Sequence, residues 1–401
     1  LSPSERDPRT TPVLLAGART PFGRYQGALS TFSAVDLGGI AARAALQRSG
    51  LTGEEVDAVL VGQVVQAGTG QGPARRTAIA AGIGWRAPAT TINKICLSGL
   101  TSVIDAARLV RCGEADVVLA GGQESMSSAP HLLPRARGGV GFGSATLLDG
   151  LSDALTDSFS HLSMGEDTEG RLQAASITRQ EQDEVALASH ARAAAARDAG
   201  RLAEEVVTVR VPQRRGQDIV VEHDEGVRDD TSAASLARLR PAFASSGSIT
   251  AGNASPLSDG AAFVVVTSEA WARERGREPL AYLGSAGQVA GPDPSLLSQP
   301  ARAVAAALAR EGLGTDDLHV VELNEAFAAV AVQSCRELGL APEAVNVDGG
   351  AIALGHPVGA SGARLALHVG HALRRRGGGT GVAALCGGGG QGEALLFHHW
   401  G

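Results

Sequence analysis

The chain has 401 residues, 44% hydrophobic and 19% charged, which suffices for two or three packed units and carries no bias towards disorder. Its net charge of −7 argues against nucleic acid as a partner, since a phosphate backbone needs a basic face, and any anionic ligand must find a local positive site. The apolar runs are short and interrupted, so no membrane span is expected, and the start LSPSERDPRT lacks the charged-then-apolar layout of a secretory signal; a cytoplasmic protein is expected. Four cysteines (Cys96, Cys112, Cys335, Cys386) are too few and too scattered for a disulfide framework, and no CxxC or HxxxH spacing offers a metal site. Basic charge is carried by arginine, with Lys94 the one lysine.

In chain order, residues 1–11 read as a frayed tail and Val13–Ala16 as a short buried strand. A helix from about Ala34 to Arg48 carries Leu37, Ile40, Ala41 and Ala44 on one face and is ended by Gly50. A strand at Ala58–Gly62 follows. The glycine-rich GTGQGPARR (68–76) resembles a dinucleotide turn only weakly, because no acidic residue follows a second strand to hold a ribose; tight turning is its expected role. A β-type run from Thr90 then ends on Cys96, and from Ser98 the residues Leu100, Val103, Ile104, Ala107 and Val110 form one helical stripe that Gly113 stops. A cysteine at the first turn of a helix faces unpaired backbone N–H groups, and the helix dipole favours its thiolate. Taken alone, a cysteine is more often a small buried hydrophobe. The returning strand DVVLAGG (116–122) places Cys96 at a carboxyl end of an α/β sheet, where such folds hold ligands.

Between about Ser127 and Pro256 the sequence turns polar and irregular, as expected of an inserted unit covering the site. Thr178 with Glu181 forms a capping-box start for a helix to about Asp198, and VVTVRV and DIVVEHDE alternate like a hairpin around QRRGQ. Arg214, Arg215, Arg228, Arg238 and Arg240 are solvated surface charge by default, although one or two could meet a phosphate. At AGNASPLSDGAAFVVV (251–266) a polar loop feeds an apolar strand that rejoins the first sheet. The last third then repeats the earlier plan: VVELNE (320–325) stands like AVLVGQ (58–63), VNVDGG (345–350) like the strand before Cys96, SGARLALHVGHAL (361–373) like SGLTSVIDAARLV (98–110), and TGVAALCGGGG (380–390) like ADVVLAGG (115–122). Two copies of an α/β unit packed about a pseudo-twofold axis would share a site at their junction. Singly, His356 in GHPVGASG reads as structural, Cys386 as core, and Asn324 with Glu325 as a helix cap for EAFAAVAVQS. Jointly they occupy strand-end or helix-start positions equivalent to that of Cys96, where a shared site would lie.

NKICLSGL (93–100), GGQESMS (121–127), AGNASPLSDGAA, NEAFA (324–328), GHPVGASGAR (355–364) and CGGGGQGEA (386–394) resemble, in order and over nearly the whole chain, the signature stretches of the thiolase family. The resemblance implies a five-layered αβαβα sandwich of two pseudo-twofold-related halves with an inserted loop domain. Residues 1–127 with about 257–277 would form the first half, 128–256 the loop domain, and 278–401 the second half. It implies acyl transfer between coenzyme A thioesters, with acyl-CoA and coenzyme A as substrates and no other cofactor. Cys96 would be the nucleophile, His356 its base, and Cys386 the thiol that exchanges the α-proton. Asn324 would hold a water beside His356 for the enolate oxygen, and the N–H groups of Cys96 and Gly388 would form a second oxyanion hole. Ser255, Arg228, Ala326 and Met164 match positions that contact coenzyme A. Ser163 precedes Met164-Gly165 where members specialised for short acetoacetyl substrates carry a histidine, and Leu97, Pro256 and LLSQPARAV (296–304) depart as well, so these changes bear on chain length. The expected activity is acetyl-CoA C-acetyltransferase, forming acetoacetyl-CoA from two acetyl-CoA. The alternatives are a degradative 3-ketoacyl-CoA thiolase for longer chains, a decarboxylating or irreversible condensing enzyme of the same fold, against which Cys386 argues, and a non-catalytic CoA- or lipid-binding relative. SSAPHLLPRARGGVGFGSATLLDG resembles the loop that joins dimers into tetramers, implying a homotetramer or homodimer. Cys112 and Cys335 read as structural.

Overall fold

The structure, a computed structural model, describes residues 7–400. Nine strands carry the main sheet: β1 Pro12–Arg19, β2 Ala58–Gly62, β3 Ala89–Ile92, β4 Val117–Ser125, β5 Ser258–Ser268, β6 Ala281–Ala290, β7 Leu318–Leu323, β8 Gly379–Gly387 and β9 Gln391–His399. Eight helices matter here: α1 Ala34–Ser49, α2 Pro73–Ala80, α3 Ser98–Arg111, α4 Met164–Leu172, α5 Arg179–Asp198, α6 Gln299–Glu311, α7 Ala328–Leu338 and α8 Ser361–Arg376. The strand order β7-β8-β9-β6-β1-β5-β4-β2-β3 contains two copies of one plan. In the first copy β2 runs parallel to β3 and β4, and β4, β5 and β1 pair antiparallel. In the second, β7 runs parallel to β8, and β8, β9 and β6 pair antiparallel. The copies meet where Val13 and Leu14 pair with Tyr282 and Ala281.

Both faces of each half-sheet are buried, so the strands read as continuous apolar runs whose alternate residues enter different cores. Val118, Ala120, Val264, Leu385 and Leu395 point to a central core with α3 and α8. Their neighbours Val117, Leu119 and Val265 pack under α1 and α2, and Ala384 and Leu396 under α6 and α7. Five layers result: helix, sheet, helix, sheet, helix. Local signals place the helices as the sequence suggests. Ser33 and Asp36 form a capping box for α1, which Gly50 ends in the left-handed region (φ 69°), and Thr178 and Glu181 cap α5. Gly68, Gly70 and Gly72 all take positive φ in the turn before α2, so tight turning is what those glycines supply. The hairpin around QRRGQ forms as Val209–Val211 against Ile219–Val221.

Three expectations need correction. VNVDGG is not a strand. Val345 makes a single parallel bridge to Val321, and then Asn346, at φ 51°, turns its side chain onto the backbone of Leu323, accepting from its N–H at 2.8 Å and donating to its carbonyl at 2.9 Å. An amide side chain thus takes the place of the next ladder step. Asn324 and Glu325 do not cap a helix either: α7 begins at Ala328 with Phe327 at its N-cap position and no side-chain cap. The frayed tail is corrected in part, since the Asp7 carbonyl accepts from the Thr10 N–H and the Thr11 hydroxyl; residues 1–6 lie outside the described residues.

Candidate active site

Cys96 sits in the turn between β3 and α3, and the surrounding motif builds that turn. The Asn93 carboxamide accepts from the Ile95 N–H at 3.1 Å, and the Ser98 hydroxyl accepts from the Lys94 N–H at 2.8 Å while donating to the Ile95 carbonyl at 2.6 Å. Ile95 is held at φ 55°, a conformation a β-branched residue rarely adopts, so the chain bends sharply just before the cysteine. His356 follows Gly355, whose φ of 114° and closeness to Ser258 (a Cβ would lie 2.6 Å from its hydroxyl) exclude a side chain there. Cys386 lies near the end of β8, opposite Gly392, where the glycines of CGGGGQG turn the chain into β9 with Gly389 and Gly390 at positive φ.

These three residues line one cavity of about 550 Å³ together with Gly388, Ser255, Arg228, Ala326 and Met164. Leu155, Phe243, Leu257 and Leu296 give it apolar walls. Asn324 stands one step behind: its carboxamide nitrogen meets His356 Nε2 at 3.4 Å, and its buried Oδ1 has no partner among the described residues. Arg228 is exposed and hangs at the edge. The Ser255 N–H and hydroxyl both donate to the Ala326 carbonyl, at 3.1 and 3.0 Å, tying the strand-entry loop to the NEAF turn. Gly165 beside Met164 is required by the Phe243 ring, which a Cβ would meet at 2.3 Å.

The electrostatics differ from the expectation for a helix-start cysteine. Burial pushes the Cys96 thiol up to about 12; the N–H groups of Cys96 and Gly388 pull it down, and nearby Glu124 pushes it up again. Desolvation therefore outweighs the helix end, and the resting group is a thiol rather than the thiolate that the helix dipole alone would favour. Cys386 is raised still further, by burial first and by Cys96 second. His356 is lowered to about 4 by burial and by the Arg364 charge, so it is a neutral imidazole at neutral pH. Its Nδ1 lies 2.6 Å from the Ser361 hydroxyl, which donates onward to the Pro357 carbonyl at 3.1 Å. That hydroxyl accordingly accepts from Nδ1–H, and Nε2 keeps a lone pair facing Asn324. Glu124, raised to about 8 by burial, accepts from the N–H groups of Val64, Val65 and Gly359 and so clamps two loops beside the site.

Such a pair of thiols with one neutral imidazole and two backbone N–H groups aimed at one sulfur suits acyl transfer through a covalent thioester. The whole chain agrees with this chemistry. The family profile "Thiolase, N-terminal domain" matches residues 13–270, and "Thiolase, C-terminal domain" matches residues 277–399. The chain belongs to the thiolases. Proteins of Mycobacterium leprae and Mycobacterium tuberculosis, each named a probable acetyl-CoA acetyltransferase, are 55% identical to this thiolase over 97% of its length and 99% of theirs. The acetyl-CoA acetyltransferase of Cupriavidus necator is 45% identical over 96% of this chain and 98% of its own. The crystal structure of the Bacillus anthracis acetyl-CoA acetyltransferase superimposes with a TM-score of 0.94 at 38% identity, covering 97% of this chain and 98% of that one.

Sequence reasoning named the reactive groups of the cavity, but neither its apolar walls, such as Leu155 and Phe243, nor the residues that hold those groups in place. Ser361, Ser258 and Glu124 all fall inside quoted motifs, yet only the fold shows which side chain meets which backbone group. Of the cysteines read as structural, Cys335 is buried in the outer core of the second half, whereas Cys112 is exposed at the end of α3.

Proposed function

We propose that this thiolase is an acetyl-CoA C-acetyltransferase that forms acetoacetyl-CoA and free coenzyme A from two acetyl-CoA, reversibly. The observation that carries the reading is the convergence of Cys96, His356, Cys386 and Gly388 on one cavity, with Asn324 on the imidazole. Cys96 attacks the thioester carbonyl as His356 Nε2 takes its proton. A thiol this reluctant to ionise alone needs the base to act during attack. Coenzyme A leaves as the thiol with that proton, and the acetyl group stays on Cys96. Cys386 passes its thiol proton to the again neutral His356 as it takes the α-proton of a second acetyl-CoA; its raised basicity brings it closer to that weak carbon acid. The carbanion attacks the acetyl carbonyl, the oxyanion rests on the Cys96 and Gly388 N–H groups, and Cys96 departs, taking the proton back from His356. The enolate oxygen accepts from the Nε2–H that His356 carries once it holds the Cys386 proton, and from a water held by Asn324. Ser255, Arg228, Ala326 and Met164 line the approach of the pantetheine arm.

The test is loss of the acetoacetyl-CoA enolate absorbance on adding enzyme and coenzyme A; no loss with acetoacetyl-CoA but loss with longer 3-ketoacyl-CoA would favour the degradative reading, which the apolar walls Leu155, Phe243, Leu257 and Leu296 support. In the same reading residues 1–127 with 257–277 and residues 278–401 are the two halves, and 128–256 is the loop domain that roofs the cavity. The protein is a homotetramer: Val140, Phe142 and Leu147 stand exposed on the excursion between Leu132 and Leu148, and β3 ends the sheet with a free edge. Light scattering should give four chains for the native protein and two for Phe142→Ser.

A further inference from the structure

At the far end of α8 from Ser361 lies a second cavity of about 490 Å³, walled by Leu15–Gly17 of β1, Arg48 and Ser49 at the end of α1, Arg277 and Glu278 from the loop before β6, and His371 and Arg374 of α8. His371 is ten residues along the helix from Ser361, about 15 Å at 1.5 Å per residue, so this space is separate from the one holding Cys96. Three arginines from three different elements face it. The Arg48 guanidinium donates only to backbone carbonyls, those of Gly17 (3.1 Å), Glu205 (2.8 Å) and Val206 (2.7 Å), and has no carboxylate within ion-pair distance among the described residues. Arg277 and Arg374 make no side-chain hydrogen bond or ion pair to the described residues. Their positive charge is opposed by Glu278 in the wall itself and, at Arg277, by Glu55 outside it. Glu204 and Glu205 lie behind His371, but they are already engaged, Glu204 by Arg375 at 2.7 Å and Glu205 by Arg19 at 2.8 Å and His368 at 3.1 Å. His371 itself is buried, and its Nε2 has no partner among the described residues.

The plain explanation is that arginines at the ends of α1 and α8 complement the helix dipoles. That accounts for Arg48 and Arg374. Arg277, from a loop, lies against Gly50 at the end of α1, so the same account reaches it; what it leaves open is one concave space lined by all three arginines, none of them in an ion pair with the described residues, in a chain whose net charge is −7. Each guanidinium is a fork matched to two oxygens of a phosphate or carboxylate, so three forks around one cavity suit an anion with more than one phosphate. We infer that this cavity binds a compact diphosphate, either free or as the diphosphate of a nucleotide.

The test is calorimetric titration of the full-length enzyme with sodium pyrophosphate and, separately, with ADP in the presence of saturating coenzyme A. One binding event is expected. Arg277→Ala/Arg374→Ala should weaken it at least about tenfold, since each guanidinium removed takes charge-assisted hydrogen bonds with it. Glu278→Gln should tighten it, an opposite change that a damaged fold cannot mimic. Arg228→Ala, at the other cavity, should leave it unchanged. The double variant should keep the native melting temperature and thiolysis rate. Binding of pyrophosphate but not ADP assigns free diphosphate, and binding of both assigns a nucleotide as well. Absence of binding by either probe, equal affinity in the double variant, or loss of binding in Arg228→Ala overturns the inference.

Discussion

At the residue scale, the two thiols of the cavity differ from the ordinary idea of a reactive cysteine. Burial holds Cys96 and Cys386 protonated at rest, and the low basicity of His356 keeps it ready to accept a proton. A histidine with its pKa lowered to about 4 stays neutral as pH falls through the usual imidazole range. The acid limb of kcat/KM for thiolysis should therefore fall near pH 4, and an inflection near 6.5 would show that His356 is not the group as described. Cys386→Ser should lose condensation by roughly 10²–10⁴-fold, the usual contribution of a general base, while Cys96 still takes up acetyl from acetyl-CoA. If that variant kept full condensation, the assignment of Cys386 would be wrong. Asn324→Ala, measured the same way, should cost condensation about 10²–10³-fold, as for a lost oxyanion-hole donor. The cysteines, the histidine and the asparagine were legible in the sequence because each falls at a strand end or turn repeated between the two copies. Their protonation was not: it depends on desolvation and on Arg364 and Glu124, which only the packed structure brings near.

At the element scale, α8 does two jobs. Its apolar face, with Leu365, Leu367 and Val369, sits in the central core. Along another face, Ser361, Arg364, His368, His371 and Arg375 recur at steps of three and four, one above the other. Arg364 pairs with Glu322 at 2.9 Å, and His368 lies 3.1 Å from Glu205 and 3.3 Å from Asp348. Glu205 belongs to the long segment between β4 and β5 and Glu322 to β7, so the stripe ties that segment to the central helix. Burial would lower the pKa of His368, but Glu322, Glu205 and Asp348 raise it to about 10. A raised folded pKa gives stability that is complete below about 6.5 and lost as pH rises through about 10. The melting temperature should therefore decline between pH 7 and 10, and His368→Gln should flatten that decline; an unchanged slope in the variant would exclude His368 as its source. A similar tie crosses the halves near the nucleophile, where Lys94, the one lysine, donates to buried Glu393 at 2.5 Å, and Thr101 and Gln288 donate to the same carboxylate. Lys94→Met should destabilise the protein by about 3–5 kcal/mol in chemical denaturation, because it strands a buried charge. The helices were readable from their caps and stripes. The missing strand at VNVDGG was not, since its alternation survives while an Asn346 side chain has taken over the ladder.

For the whole molecule, duplication is what makes the site. Each half alone presents one thiol at one strand-end region, and only their packing across α3 and α8 brings Cys96 of the first half into one cavity with His356 and Cys386 of the second. The internal repeat was visible in the spacing of SGLTSVIDAARLV and SGARLALHVGHAL, which is why the architecture could be anticipated. The loop domain's roof was not, because its residues around the cavity, such as Leu155 and Phe243, follow no period and reach the site only through irregular chain. The central claim is that Cys96 carries the acyl group. Peptide mass spectrometry after brief exposure to acetyl-CoA tests it most directly: one acetyl group is expected on the peptide containing Cys96, retained in Cys386→Ser and absent in Cys96→Ala. Acetyl found only on Cys112, Cys335 or Cys386 would contradict the account.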